Sequence, residues 1–154
     1  MSIEMDVFSP NSHSNHVVTW KPVVSEVSAL VKEILDRVYK LDHVATVQQV
    51  GGWGVMSNNF RVSFVGNWHS EVLLRRHIQH TSPVSLWMIN NVMNALFHLG
   101  VKVPRTISPV QRGNGEIVLY DNSYWQLFPF VSGCYYRGTI GELESATVEV
   151  ARLN

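Results

Sequence analysis

The chain is poor in the residues that announce the commoner kinds of site. It has one cysteine, Cys134, in 154 residues, so no intramolecular disulfide can form and no thiolate cluster can hold zinc. Cys134 has no activating neighbour in sequence and reads as a packing residue. An excess of charge of either sign is also missing, because 12 Lys and Arg balance 12 Asp and Glu. That removes the basic footprint of a nucleic-acid binder or of a protein held on an anionic membrane. No run of about 18 apolar residues occurs, so no membrane-spanning helix is expected. The opening stretch, MSIEMDVFSPNSHSNH, lacks the apolar centre of a secretory leader. The expected setting is therefore cytoplasmic. Seven histidines are scattered without metal-ligand spacing, and no metal site is predicted from them. What the chain does have is apolar bulk: hydrophobic residues make up 45% of it, enough to bury the core of one domain or one large lobe.

Residues 1–24 open with a Ser-, Asn- and His-rich stretch and read as an arm. Over 25–41, Val27, Leu30, Val31, Ile34, Leu35, Val38 and Leu41 recur in steps of three and four, which predicts an amphipathic helix. Strands are expected at 45–50, 60–65 and 71–76, the first two joined by a turn with three glycines, Gly51, Gly52 and Gly54. Ser82 and Pro83 suit a helix start. That helix should run to about Leu99, with Leu86, Ile89, Val92, Met93, Leu96 and Phe97 buried and Gly100 as the stop. Trp87 and Trp125 read as core aromatics. Residues 101–107 should lead into a further strand, and 117–120 should pair with 124–131 across Asp121 and Asn122 as a hairpin. A capping-box pattern at 139–142 opens a last helix that the sequence leaves uncompleted at Asn154. The expected class is α+β: an antiparallel sheet with one long helix across it.

Taken alone, VGGWGVMSNNFRV at 50–62 is a hairpin with many glycines. It is followed in order by VLLRRH, HLGVKVPRTI, WQLFPFVSG and LESATVEVARLN. This succession, over about residues 25–154, resembles the N-terminal lobe of the protein-kinase-like fold, and within it the aminoglycoside phosphotransferase and choline kinase superfamily. The resemblance implies a nucleotide-binding lobe over 25–131, with 132–154 as hinge and beginning of a C-terminal lobe. It implies ATP with Mg²⁺ as cofactor, and a small-molecule substrate whose hydroxyl receives the γ-phosphate. In such a lobe the glycine turn, with Ser57 and Asn58 beyond it, brings backbone N–H groups to phosphate without a Cβ in the way. Arg75 would hold the same phosphates from the third strand, with Arg76 as the fallback if the register slips by one. Leu73, on the Arg75 face, would lie under the adenine, with Phe60 and Val62 covering it from the neighbouring strand. The adenine edge would meet hinge backbone. Pro129 has no N–H, so the expected groups are the Phe128 carbonyl and the Phe130 amide, with Gln126 at the back of the pocket.

Two departures qualify the resemblance. The 85–99 helix has no acidic residue to pair with Arg75, only Asn90, Asn91 and Asn94. The only aspartates are Asp6, Asp36, Asp42 and Asp121, so the catalytic base and the Mg²⁺ ligands of a phosphoryl transferase are not in this sequence. The chain is expected to be a fragment, inactive alone, with its other half in a C-terminal lobe. The alternative is a non-catalytic nucleotide-binding or protein-interaction module of the same fold. An uncovered lobe face carrying Phe128, Phe130, Val131, Tyr135 and Tyr136 would favour self-association.

Overall fold

The computed structural model describes residues 19–51, 57–66, 71–77, 82–110 and 116–131. The first helix, α1, spans Ser25–Ile34 and continues as a π-helical turn over Leu35–Tyr39. Its apolar stripe is the one the sequence shows. Val31, Ile34 and Leu35 are fully buried, and Val27, Leu30, Val38 and Leu41 pack around them. The turn ends at Lys40, which takes a left-handed backbone, φ 57°. The Leu41 amide then donates back to the Leu35 carbonyl at 2.9 Å, closing the helix end.

Six strands follow the order β1-β2-β3-β4-β6-β5 in one antiparallel sheet. They are β1 Thr19–Pro22, β2 Val44–Gly51, β3 Ser57–Phe64, β4 Val72–His77, β5 Val118–Tyr120 and β6 Ser123–Pro129. One face of the sheet packs on α1 through Val47, Phe60, Val62, Val72, Leu74, Val118, Trp125 and Leu127. Trp125 is completely buried, as its sequence context suggests, and stacks on Phe60 at 6.1 Å between ring centroids. The β5–β6 hairpin turns through Asp121 and Asn122, both left-handed (φ 46° and 53°), the two-residue geometry that matches strand twist.

Three elements differ from expectation. Thr19–Pro22, read as part of the 1–24 arm, forms β1 and pairs with β2. Residues 101–107 make no strand, only a single bridge in which the Ile107 amide donates to the Leu127 carbonyl at 2.7 Å. The Val103 amide folds back on the Val101 carbonyl, and Pro104 has no N–H to offer a ladder. Helix α2, Pro83–His98, starts after Ser82 as predicted, although the Ser82 side chain makes no capping bond. Its buried positions are Leu86 and Asn90, with Met93, Asn94 and Leu96 partly covered. Ile89, Val92 and Phe97 are exposed, and so is Trp87, at 62%. No helix among the described residues is long and apolar enough to cross a membrane.

Candidate functional site

The sheet face turned away from α1 carries the polar chemistry. Antiparallel pairing sets which residues share it, because directly opposed residues project to the same side. Arg75 lies opposite Asn59 on β3 and Gln126 on β6, and Leu73 lies opposite Arg61 and Phe128. Ser57 lies opposite His77 on the same face. The face thus presents successive cross-strand rows: Ser57 and His77, then Asn59, Arg75 and Gln126, then Arg61, Leu73 and Phe128.

This register corrects part of the expected slot. Phe60 pairs with Leu74 and Val62 with Val72, so both point into the α1 core, where they are 2% and 0% exposed. They cannot cover a ring held under Leu73. Asn58 pairs with Arg76, also on the core side, and its Oδ1 accepts from Gln49 Nε2 at 3.3 Å. Arg76 bonds Ser123 Oγ at 3.0 Å and lies over Trp125, which removes it as a substitute for Arg75. Gly51 ends β2 opposite Thr19. Gly52 and Gly54 lie outside the described residues, as do Trp53, Cys134, Tyr135, Tyr136 and the 139–154 stretch.

The hinge is corrected in the same way. The Phe130 amide donates to the Glu71 carbonyl at 2.9 Å. Hydrogen-bonded pairs alternate along an antiparallel ladder, so Phe128 opposite Leu73 is bonded into the sheet as well. The groups turned away from β4 are those of the alternate residues. The Leu127 carbonyl takes the Ile107 amide, and the Pro129 carbonyl and Val131 amide follow on that side.

Arg75 is half-buried. Its Nε donates to Asn59 Oδ1 at 2.9 Å, and its guanidinium lies 5.2 Å from the Phe128 ring centre. Burial pulls its pKa below the ordinary arginine value, yet an arginine keeps its proton at any physiological pH. Among the described residues no carboxylate pairs with it. The helix asparagines do not reach it either: Asn90 Oδ1 accepts from Gln126 Nε2 at 2.8 Å. Gln126 Oε1 in turn meets His77 Nε2 at 2.6 Å. With the Gln126 amide nitrogen given to Asn90, its oxygen requires His77 to be the donor, so His77 carries its proton on Nε2. Burial, with the nearby Arg75 charge adding to it, lowers the His77 pKa despite the Gln126 bond. A neutral chain, His77 to Gln126 to Asn90, therefore ties β4, β6 and α2 together where an ion pair was looked for. Sequence reading missed His77 and Asn59. Parity with Arg75 would have found His77, but Asn59 needed the β3–β4 register.

Arg61 of the third row forms an ion pair with Glu71, which lies one row beyond, just before β4. Arg61 Nε and Nη2 donate to Glu71 Oε1 and Oε2 at 2.9 and 2.7 Å, a bidentate fork. Nothing in the sequence marked this pair, whose partners are ten residues apart across the 65–71 connection. The residues fit a polyphosphate, which needs a positive group lacking its own counter-ion. They do not fit Mg²⁺. Glu71 is the carboxylate nearest in sequence to Arg75, and it is bonded to Arg61.

No protein-family model and no curated protein matches the sequence. Among solved structures, a spectinomycin phosphotransferase in complex with ADP and spectinomycin is similar to this chain. The likeness covers 72% of this chain and 30% of the other, with a TM-score of 0.52 and 16% identity. The likeness is one of fold, and this chain spans under a third of that enzyme's length.

Proposed function

We propose that the chain is the N-terminal, ATP-binding lobe of a small-molecule kinase of the aminoglycoside phosphotransferase type. The observation that carries this is Arg75: a half-buried cation on the sheet face turned away from α1, positioned by Asn59 and Phe128, with no carboxylate partner among the described residues. The phosphates lie against the Arg75 row, beneath the glycine turn of Gly51, Gly52 and Gly54. Leu73 contacts the base, and the base edge takes the Pro129 carbonyl and the Val131 amide. The base that accepts the substrate proton and the ligands for Mg²⁺ belong to a C-terminal lobe, which also supplies the substrate site. The complete enzyme transfers the γ-phosphate to a substrate hydroxyl in a cytoplasmic setting. Support comes from the shared fold with an enzyme solved with ADP.

Calorimetric titration of the chain with ATP and Mg²⁺ tests the reading. Saturable binding is expected, falling about tenfold or more in Arg75→Gln through loss of a charge-assisted contact. Binding that is absent, or indifferent to Arg75, removes the proposal. One observation favours the second reading, a non-catalytic module. The neutral His77–Gln126–Asn90 chain holds α2 without the ion pair on which phosphoryl-transfer lobes of the protein kinases depend. That module would bind nucleotide without transferring phosphate, or would bind protein and show no ATP response.

A further inference from the structure

Arg61 stands directly across from Leu73, next to the Arg75 row, and its partner Glu71 lies one row further on, where its carbonyl takes the Phe130 amide of the hinge. Rows on one face lie about 7 Å apart along a strand, so a ring held under Leu73 meets Arg61. Two aromatic rings support that guanidinium. Its Cζ is 4.6 Å from the Phe130 ring centre and 5.8 Å from that of Trp20, and the two rings stand 5.7 Å apart, edge to face. Glu71 holds the guanidinium edge, and among the described residues Phe130 and Trp20 are its aromatic contacts. The Arg61 side chain keeps 30% of its surface accessible.

We propose that Arg61 is the roof of the base slot, a specificity-determining residue that stacks its accessible surface on the purine of the bound nucleotide. This rests on the nucleotide reading above. A guanidinium forked to a carboxylate is held flat and in place, so little side-chain entropy remains to be lost on stacking. Planar guanidinium surfaces stack on nucleobases as well as on aromatic side chains. Glu71 cancels the charge locally, so the roof acts through its shape and polarisability, and Arg75 provides the attraction for phosphate. Phe60 and Val62, turned into the core, leave this role open.

The test separates base from phosphate. Full chains carrying Arg61→Ala, Arg61→Lys and Glu71→Gln are titrated with ATP and with inorganic tripolyphosphate, and each is checked by thermal melting. Arg61→Ala should weaken ATP about tenfold, as for loss of one base stack, and leave tripolyphosphate unchanged. Arg61→Lys keeps the charge and a partner for Glu71 but has no planar surface, so it should lose nearly as much. It also keeps the test intact if the alanine variant does not fold. Glu71→Gln, which loosens the clamp, should fall between. ATP affinity that is unchanged in both Arg61 variants, or tighter because the side chain had blocked the slot, overturns the roof and leaves the nucleotide reading standing. A wild-type chain that binds neither ATP nor tripolyphosphate overturns both.

Discussion

Arg75 and His77 sit two residues apart on one strand face, and their surroundings treat charge differently. Arg75 stays cationic and gains an amide oxygen from Asn59, whereas His77 is kept neutral by burial and by Arg75 itself. The consequence is a pH dependence with a definite sign. Folding lowers the proton affinity of His77, so the unfolded chain binds the proton more tightly. The stabilisation is fully present above the unfolded value of about 6.5 and is lost as pH falls toward the lower folded value. Denaturant midpoints measured between pH 7 and pH 5 should fall with pH, and His77→Gln should flatten that slope. An unchanged slope in the variant would show that His77 does not titrate as argued. Tyr39 offers a second residue-scale test. Its hydroxyl is buried with no hydrogen-bond partner among the described residues, and burial raises its pKa. A buried unsatisfied hydroxyl costs about 1–3 kcal/mol, so Tyr39→Phe should be neutral or stabilising in urea unfolding. A clear loss of stability would mean that the hydroxyl is satisfied.

Among the elements, α1 was legible and α2 was not, and the reason lies in where charge stands. In α1, Glu26, Lys32, Asp36 and Arg37 mark the solvent side, so Val31, Ile34 and Leu35 fall into a clean stripe. In α2, PVSLWMINNVMNALFH, no acidic or basic residue other than His98 marks any side, and apolar residues run all round. Periodicity then identifies a helix but cannot orient it, and the buried polar Asn90 was the real key to its packed face. The 101–107 stretch failed for a local reason, the Val103 turn and Pro104. The helix end at Lys40 gives a prediction at this scale. A side chain in the left-handed region costs about 1–2 kcal/mol relative to glycine, so Lys40→Gly (φ 57°) should raise stability by about 1 kcal/mol in denaturant titrations. A destabilised variant would imply that the lysine side chain makes a contact outweighing its backbone strain.

For the whole molecule, the order of motifs carried the fold: glycine turn, VLLRRH, long helix and WQLFPFVSG led to an antiparallel sheet with a crossing helix, and the shared architecture with a phosphotransferase agrees. The site was legible only by strand and not by face. Arg75 and Leu73 share a face by parity within one strand, but pairing Phe60 with Leu74 depends on the β3–β4 register across the 65–71 connection, which no local pattern sets. The same global view explains what the sheet leaves uncovered. One face is closed by α1, while α2 crosses the other and turns Val84, Trp87, Met88 and Val92 outward, each more than half exposed, with Val131 exposed beyond the hinge. A continuous apolar surface on an uncharged helix has nothing to repel a copy of itself. The chain at high concentration should therefore associate, seen as a rise in weight-average mass by light scattering, and with little dependence on added sodium chloride because the patch carries no charge to be screened. Trp87→Lys combined with Met88→Lys should return the mass toward that of a single chain without altering the thermal midpoint, since neither side chain enters the core. A concentration-independent monomer in the unmodified chain would count against this. Association that survives the double substitution would shift the contact from α2 to the hinge side, around Val131.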